Sequence, residues 1–311
     1  MRVLELVGCA KTRPTCHSEE PKATRNLVFP IISDRDSSSP SAPRNDRLSK
    51  SVRNLLSSLL MLALVAPARA HAEQITVAAA ADLTFAFQEV AARFQKDTGN
   101  SVKLSFGSSG NFYSQIQNGA PYDLFFSADI TYPQKLEAAG LAEPGSLHRY
   151  AEGKIVLWVP NGSSMDLGHG LKALLEPSVR KIAIANPEHA PYGRAAVAAL
   201  QHEQIYDKVR DKLVMGENIS QAAQFVLSGD ADAGIIALSL TLAPAMAGKG
   251  RSFEIPPSSY PAIDQACVIL KSSQRKQVAQ QFLDYLRQPE IVALMHRYGF
   301  VAPESAAAAP R

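Results

Sequence analysis

The sequence predicts an α/β protein of two lobes with a ligand cleft between them, and three observations carry that expectation. Apolar β-type runs alternate with helical ones over most of residues 75–298, which implies layered structure with mostly parallel sheets. The alternation comes in two series, separated by the strongly β-forming Lys154–Val159 and later rejoined by Ala266–Leu270. Several strands end at short turns that open helices, and loops at strand carboxyl ends are where open α/β sheets bind ligands.

The 311 residues are 46% apolar and 20% charged, enough for a substantial core in one large or two medium domains. The formal charge of +3 is unevenly placed: residues 1–72 carry 11 Lys/Arg against 6 Asp/Glu, which leaves 21 against 23 for the rest. A slightly acidic body is not that of a nucleic-acid binder. Leu55–Ala66 is an apolar run preceded by Arg47, Lys50 and Arg53 and followed by A-x-A sites ending at Ala70 or Ala72. This is the layout of a secretory signal peptide, too short for a transmembrane span, and it predicts a signal over residues 47–72 with cleavage near Ala70 or Ala72. No Cys lies near that site, so no lipid attachment is expected there. Residues 1–46 are rich in Ser, Pro and charge without periodicity. Either they are a disordered extension or the start of the chain is assigned too far upstream, and the second reading is preferred. Cys9 and Cys16 fall in the part to be removed. Cys267, within an apolar run, reads as a small core residue, and one cysteine builds neither a disulfide framework nor a metal cluster.

Along the remainder, Ile75–Ala81 reads as a buried strand, with Asp82 as the N-cap of a helix that carries Phe87, Val90, Ala91 and Phe94 at helical spacing and ends at Gly99. Ser101–Phe106 is a second strand, and a helix follows from Asn111. Tyr122–Phe126 is a third strand, followed by a short helix over Gln134–Ala139. In the second series Lys181–Ala185 is a strand, Asn186–Gly193 a loop and Arg194–Gln201 a helix. Lys212–Met215 then leads through Glu217–Ile219 to a helix over Ser220–Leu227, and Ala233–Leu238 is again a strand. Two amphipathic helices, Gln274–Leu286 and Pro289–Tyr298, finish the chain. The lobes are therefore expected as 73–157 with 266–311, and 158–265, hinged on paired strands near Ile155–Val159 and Ala266–Leu270.

The chemistry concentrates at Leu104–Phe112, where two glycines, two serines and an asparagine join a strand to a helix. Small residues let N–H groups point into one space, and a helix start adds unpaired N–H groups and a positive dipole end, which together make an anion site. The first strand delivers Asp82 to a helix start in the same way. From the second lobe, Tyr192 precedes a helix and can reach a cleft with its phenol or its N–H. Ile219, also before a helix, can contribute only its N–H or its shape. Catalysis finds little support. There is no G-x-S-x-G elbow, P-loop or Rossmann fingerprint. Of the seven histidines, the five after residue 72, His148, His169, His189, His202 and His296, sit in polar or loop-like contexts, are expected at the surface, and show no metal-ligand spacing.

Together Ile75–Thr84, Ser105–Gly110, Asn118–Asp129, Asn186–Gly193 and Arg297–Phe300 resemble, in order and over residues 74–302, the periplasmic molybdate-binding components of ABC transporters. The resemblance implies the type II two-lobed periplasmic binding protein fold and no enzyme activity. It also implies no cofactor beyond the carried ligand, molybdate or tungstate, held by neutral donors through its oxygens. By the same resemblance the chain would work as a monomer in the periplasm and deliver its ligand to an inner-membrane permease and its ATPase. The family's contacts fall on Asp82, Ser109, Tyr192 and Ile219, and a tyrosine that some members use falls on Ala237. Asp82 departs from the usual serine or asparagine and puts a carboxylate where a dianion should bind. It either turns away to cap its own helix, or accepts a proton from a protonated ligand such as hydrogen phosphate. Another tetrahedral oxyanion, phosphate or sulfate, is accordingly the alternative ligand.

Overall fold

The computed structural model describes residues 72–301. The expected extension, nearly all of the expected signal segment, and residues 302–311 lie outside the described residues. β1 (Gln74–Ala80) passes through one 3-10 turn, Ala81–Leu83, into α1 (Thr84–Thr98), which Gly99 ends in the left-handed conformation that glycine adopts without steric penalty. β2 (Ser101–Gly107) leads to α2 (Ser109–Gln117), β3 (Leu124–Ser127) to α3 (Thr131–Ala138), and β4 (His148–Gly153) completes the first series. β5 (Ile155–Pro160) starts after a single intervening residue, and a kinked 3-10 stretch, Leu167–Leu175, follows it. Then come β6 (Ile182–Ala185), α4 (Pro191–His202), α5 (Tyr206–Val209), β7 (Leu213–Gly216) and α6 (Ile219–Leu227). β8 (Ala233–Ala237), α7 (Leu238–Thr241) and β9 (Gly250–Glu254) close the second series, and β10 (Ile263–Ile269), α8 (Lys276–Leu286) and α9 (Pro289–Arg297) return to the first.

Two five-stranded sheets result, ordered β2-β1-β3-β10-β4 and β7-β6-β8-β5-β9. They are built alike. Three parallel strands lead each sheet, and a fourth, β10 or β5, pairs antiparallel to both of its neighbours. The first sheet is buried on both faces. Ile75, Val77 and Ala79 of β1 pack with Phe87, Phe94 and Phe282 from α1 and α8, while Ala78 faces Phe112, Ile116 and Leu136 from α2 and α3. That double burial is why β1 reads as an unbroken apolar run. Edge-to-face rings at Phe87–Phe126 and Phe94–Phe282, with centroids 4.8 and 5.2 Å apart, clamp α1 and α8 onto the sheet.

The two runs expected to pair as a hinge do not pair with each other. Ile155–Pro160 is an interior strand of the second sheet and Ile263–Ile269 an interior strand of the first. The sheets therefore divide the chain at Lys154 and between Glu254 and Ile263, earlier than the expected boundaries after 157 and before 266. An interior strand covered on both faces has the same all-apolar composition as a strand crossing between lobes, so composition alone does not separate them. The crossings themselves are short connections tied together: Ile255 N–H donates to the Ile155 carbonyl at 3.2 Å, and Ile155 N–H to the Tyr260 hydroxyl at 3.4 Å.

Candidate functional site

Register brings the first two candidates together. Ala80 at the end of β1 lies opposite Gly107 at the end of β2, and two residues further on each chain stand Asp82 and Ser109. Ser109 is the first residue of α2, so its N–H belongs to a first turn whose amides have no intrahelical acceptor. From the second lobe, Pro191 opens α4 with Tyr192 next to it, and Ile219 opens α6 behind the N-cap Asn218. Asp82, Ser109, Tyr192 and Ile219 are 1%, 0%, 2% and 3% exposed, and all four line one small pocket between the lobes. The turn entering α1 and the first turns of α2, α4 and α6 thus converge on one space.

The walls are neutral but for one side chain. Among the residues lining the pocket there is no Lys or Arg, and Asp82 is the only charged group. Its place differs from the N-cap expected for it. It sits inside the 3-10 turn ahead of α1 and makes no capping bond. Its Oδ2 instead accepts from the Tyr192 hydroxyl at 2.9 Å and from Gln265 Nε2 at 2.7 Å, while its Oδ1 is buried with no hydrogen-bond partner. Burial pushes the Asp82 carboxyl up to about 6 against the pull of the Gln265 and Tyr192 side chains and, more weakly, of the Asp82 and Leu83 N–H groups in its own turn. The Tyr192 phenol, expected to reach into the cleft, is thus engaged with Asp82. Burial and the neighbouring Asp82 carboxylate raise it well above the usual phenol range, so it stays a donor.

Gln265 and Tyr150 belong to the same polar cluster, and the sequence alone did not single them out. Tyr150 donates to Gln265 Oε1 at 2.7 Å, which fixes the amide so that Nε2 faces Asp82. Gln265 stands where the β10–β4 register shifts, an irregularity of the kind that re-aims a side chain. The one local signal for it was a polar residue inside the otherwise apolar stretch after Asp264. Gly153 completes the packing, since a Cβ there would collide with the Tyr192 hydroxyl and the Gln265 amide.

Ser109 Oγ accepts the Ala128 N–H at 2.9 Å, which fixes its rotamer and leaves its proton free to point elsewhere. Next to it, Ser108 Oγ is 2.9 Å from His189 Nδ1, and Gly110 N–H donates to the His189 carbonyl at 2.9 Å. His189 therefore departs from the expected surface position, because the loop before α4 folds it against the start of α2. Gly110 permits this approach, as a Cβ there would lie 2.7 Å from that carbonyl. Further contacts close the lobes. Asn111 donates to Glu217, Ser220 Oγ to the Ala81 carbonyl at 2.8 Å, Ser239 Oγ to the Asp82 carbonyl at 2.9 Å, and Arg194 to Asp129 at 2.5 Å. A larger hollow lies beside Arg194 and another along α8, and neither is lined by Asp82, Ser109 or Ile219. Ala237 carries no phenol and ends β8 as a fully buried residue.

Two sheets of like topology with a buried donor-lined pocket between them define a two-lobed ligand-binding protein. Residues 75–301 match the family described as bacterial extracellular solute-binding proteins, and the chain belongs to that family. It is 41% identical over 232 residues to the molybdate-binding protein ModA of Azotobacter vinelandii, covering 74% of this chain and 91% of that one. It is 38% identical to the molybdate-binding protein ModA of Rhodobacter capsulatus over 78% of this chain and 93% of that one. The solved periplasmic molybdate-binding protein of Azotobacter vinelandii superposes with a TM-score of 0.70 at 38% identity, covering 74% of this chain and all of that one.

Proposed function

We propose that this chain is a periplasmic solute-binding protein that captures molybdate, with tungstate indistinguishable by size and charge, and delivers it to an inner-membrane ABC permease and its ATPase. The observation that carries this reading is the convergence of helix first turns from both lobes, through Asp82, Ser109, Tyr192 and Ile219, on a buried pocket without Lys or Arg. Such a pocket suits a small anion, because first-turn N–H groups and the dipole end of each helix supply positive potential at no desolvation cost for a counter-ion. The relatives' molybdate binding narrows the anion. The protein's residues meet the oxygens of the ligand, and none ligates its metal.

Hydrogen bonds to a charged group contribute about 1.5–3 kcal/mol each. About five to seven of them, less the cost of ordering the lobes, reach the ~12 kcal/mol of nanomolar binding. The ligand bridges the lobes and shifts the population toward the closed form, which the permease reads. No covalent step is involved. The buried Asp82 carboxylate favours one second reading, in which the ligand brings its own proton, as hydrogen phosphate does. Calorimetric titration of residues 73–311 with molybdate, sulfate and phosphate at about pH 7 tests both. Tight molybdate binding with the other two silent is the expected result, and phosphate binding with molybdate silent would overturn it.

A further inference from the structure

We propose that Asp82 takes up one proton for each oxyanion bound, so that the pocket meets a dianion with a neutral carboxyl and an extra O–H donor. The inference rests on the oxyanion reading above and deepens it. Oδ2 already accepts from Tyr192 and Gln265, whereas Oδ1 is buried without a partner. The Asp82 and Leu83 N–H groups act on the carboxyl more weakly than those two side chains, so Oδ1 is where a proton fits without breaking a side-chain bond. Once protonated it becomes a donor, on a residue that lines the pocket.

Other ways of removing the negative charge are closed. The carboxylate cannot swing to solvent, since Asp82 is 1% exposed and held by two donors over Gly153. No Lys or Arg lines the pocket, and Arg194, two residues after Tyr192 on α4, is paired with Asp129. A dianion against an ionised carboxylate in this space is disfavoured by like charge. Protonation removes the repulsion and adds a bond. Because burial already raises the ligand-free carboxyl to about 6, the proton is acquired close to neutral pH.

The phenols and the thiol packed around Asp82 stay protonated over this range. Tyr192 from α4 and Tyr150 from β4 are both raised well above the ordinary phenol value by burial and by Asp82 itself. Tyr260, before β10, is raised by burial, and burial pushes Cys267 on β10 to about 12. Ser239 from α7 and Ser220 from α6 contribute hydroxyls only. Asp264 next to Gln265 is paired with Arg149 of β4. At the rim, His189 touches Ser108 and lies 3.9 Å from Glu217.

Titrating molybdate into the mature chain at pH 7.5, in two buffers of different protonation enthalpy, counts the protons exchanged. The expected result is an uptake close to one proton per molybdate, with affinity falling about tenfold per pH unit between pH 6.5 and 8.5. In Asp82→Asn the uptake should vanish and the remaining affinity should be flat over the same range. Tight molybdate binding by the unaltered chain with no proton uptake would overturn the proposal while leaving the oxyanion reading intact. Uptake that persists in Asp82→Asn would overturn it in favour of His189. Failure of the unaltered chain to bind molybdate, sulfate or phosphate would remove both readings together.

Discussion

The two ends of β1 each meet a buried aspartate, and their difference separates a carboxylate that holds the fold from one that serves a site. At the amino end, Asp123 is 4% exposed. Its Oδ2 accepts the Thr76 N–H at 2.7 Å and its Oδ1 the Ser273 hydroxyl at 2.6 Å. Its backbone ties the same elements, with its N–H on the Thr76 carbonyl and its carbonyl taking the Leu270 N–H. Every charged oxygen is satisfied, and β1, β3 and the segment after β10 are stitched together. At the carboxyl end, Asp82 is as deeply buried, yet one of its oxygens has no partner. Native interiors rarely tolerate such a group, and this one borders the interlobe pocket. Equal burial with unequal satisfaction is the mark that distinguishes them.

Removing each carboxylate should therefore move stability in opposite directions. Asp123→Ala strands the Thr76 N–H and the Ser273 hydroxyl in the core and should cost about 3 kcal/mol, read as a lower urea midpoint, with oxyanion affinity unchanged. A matching loss of affinity would erase the distinction between the two aspartates. For Asp82 the folded value of about 6 lies above the ordinary 3.8, so the ionised form is the one the fold disfavours. The cost is absent below about pH 4, grows as pH rises toward 6 and is complete above it. Asp82→Asn keeps a carbonyl oxygen for Tyr192 and Gln265 and should stabilise the ligand-free chain by about 2–3 kcal/mol at pH 7.5. It should do little at pH 4. Thermal melts at the two pH values check the sign, and equal shifts at both would contradict the assigned cause.

Ser109 sharpens the same contrast from the pocket side, because its hydroxyl accepts from the Ala128 N–H and keeps its proton for a ligand. Ser109→Ala should weaken molybdate binding by about tenfold or more, measured by titration, while the urea midpoint falls by less than that of Asp123→Ala. Unchanged affinity would move the anion site elsewhere.

Much of this arrangement was legible in the sequence, for physical reasons that also explain what was not. The parallel strands are buried on both faces and flanked by helices with turn residues at their starts, so β1, β3, β6 and β8 announce themselves as apolar runs. Two of the four outermost strands, β4 (His148–Gly153) and β9 (Gly250–Glu254), do not. Each keeps polar residues toward solvent; among the described residues β9 pairs with β5, and β4 meets, beyond β10, only the single bridge from Glu152 to Val301, and neither carries an apolar run. The four candidate residues were readable because each stands at the start of a helical segment. The Asp82–Gln265 and Tyr150–Gln265 contacts were not, since they join residues 183 and 115 positions apart through a register shift that no local pattern encodes. The crossings escaped for a related reason. Lys154 is a single residue between two strands, and only the pairing of those strands with different sheets shows that the chain changes lobes there.

The smallest expected effect concerns closure rather than the pocket. Arg194 of α4 reaches across to Asp129 of the first lobe at 2.5 Å and lies over the Tyr132 ring, 5.8 Å from its centroid. Unlike Asp82 and Asp123, both partners of this pair keep contact with solvent, with side chains 39% and 22% exposed. Exposed pairs contribute about 0–1 kcal/mol, and this one acts only when the lobes are closed. Ligand affinity includes the free energy of closing, so Arg194→Ala should weaken molybdate binding only about two- to fivefold. Stability against urea should scarcely change, because each lobe keeps its own core. Raising the salt concentration should shrink the difference between the unaltered chain and the variant, as screening weakens an exposed pair in the parent. A loss as large as that of Ser109→Ala, or one indifferent to salt, would place Arg194 among the groups that hold the anion instead of those that hold the lobes together.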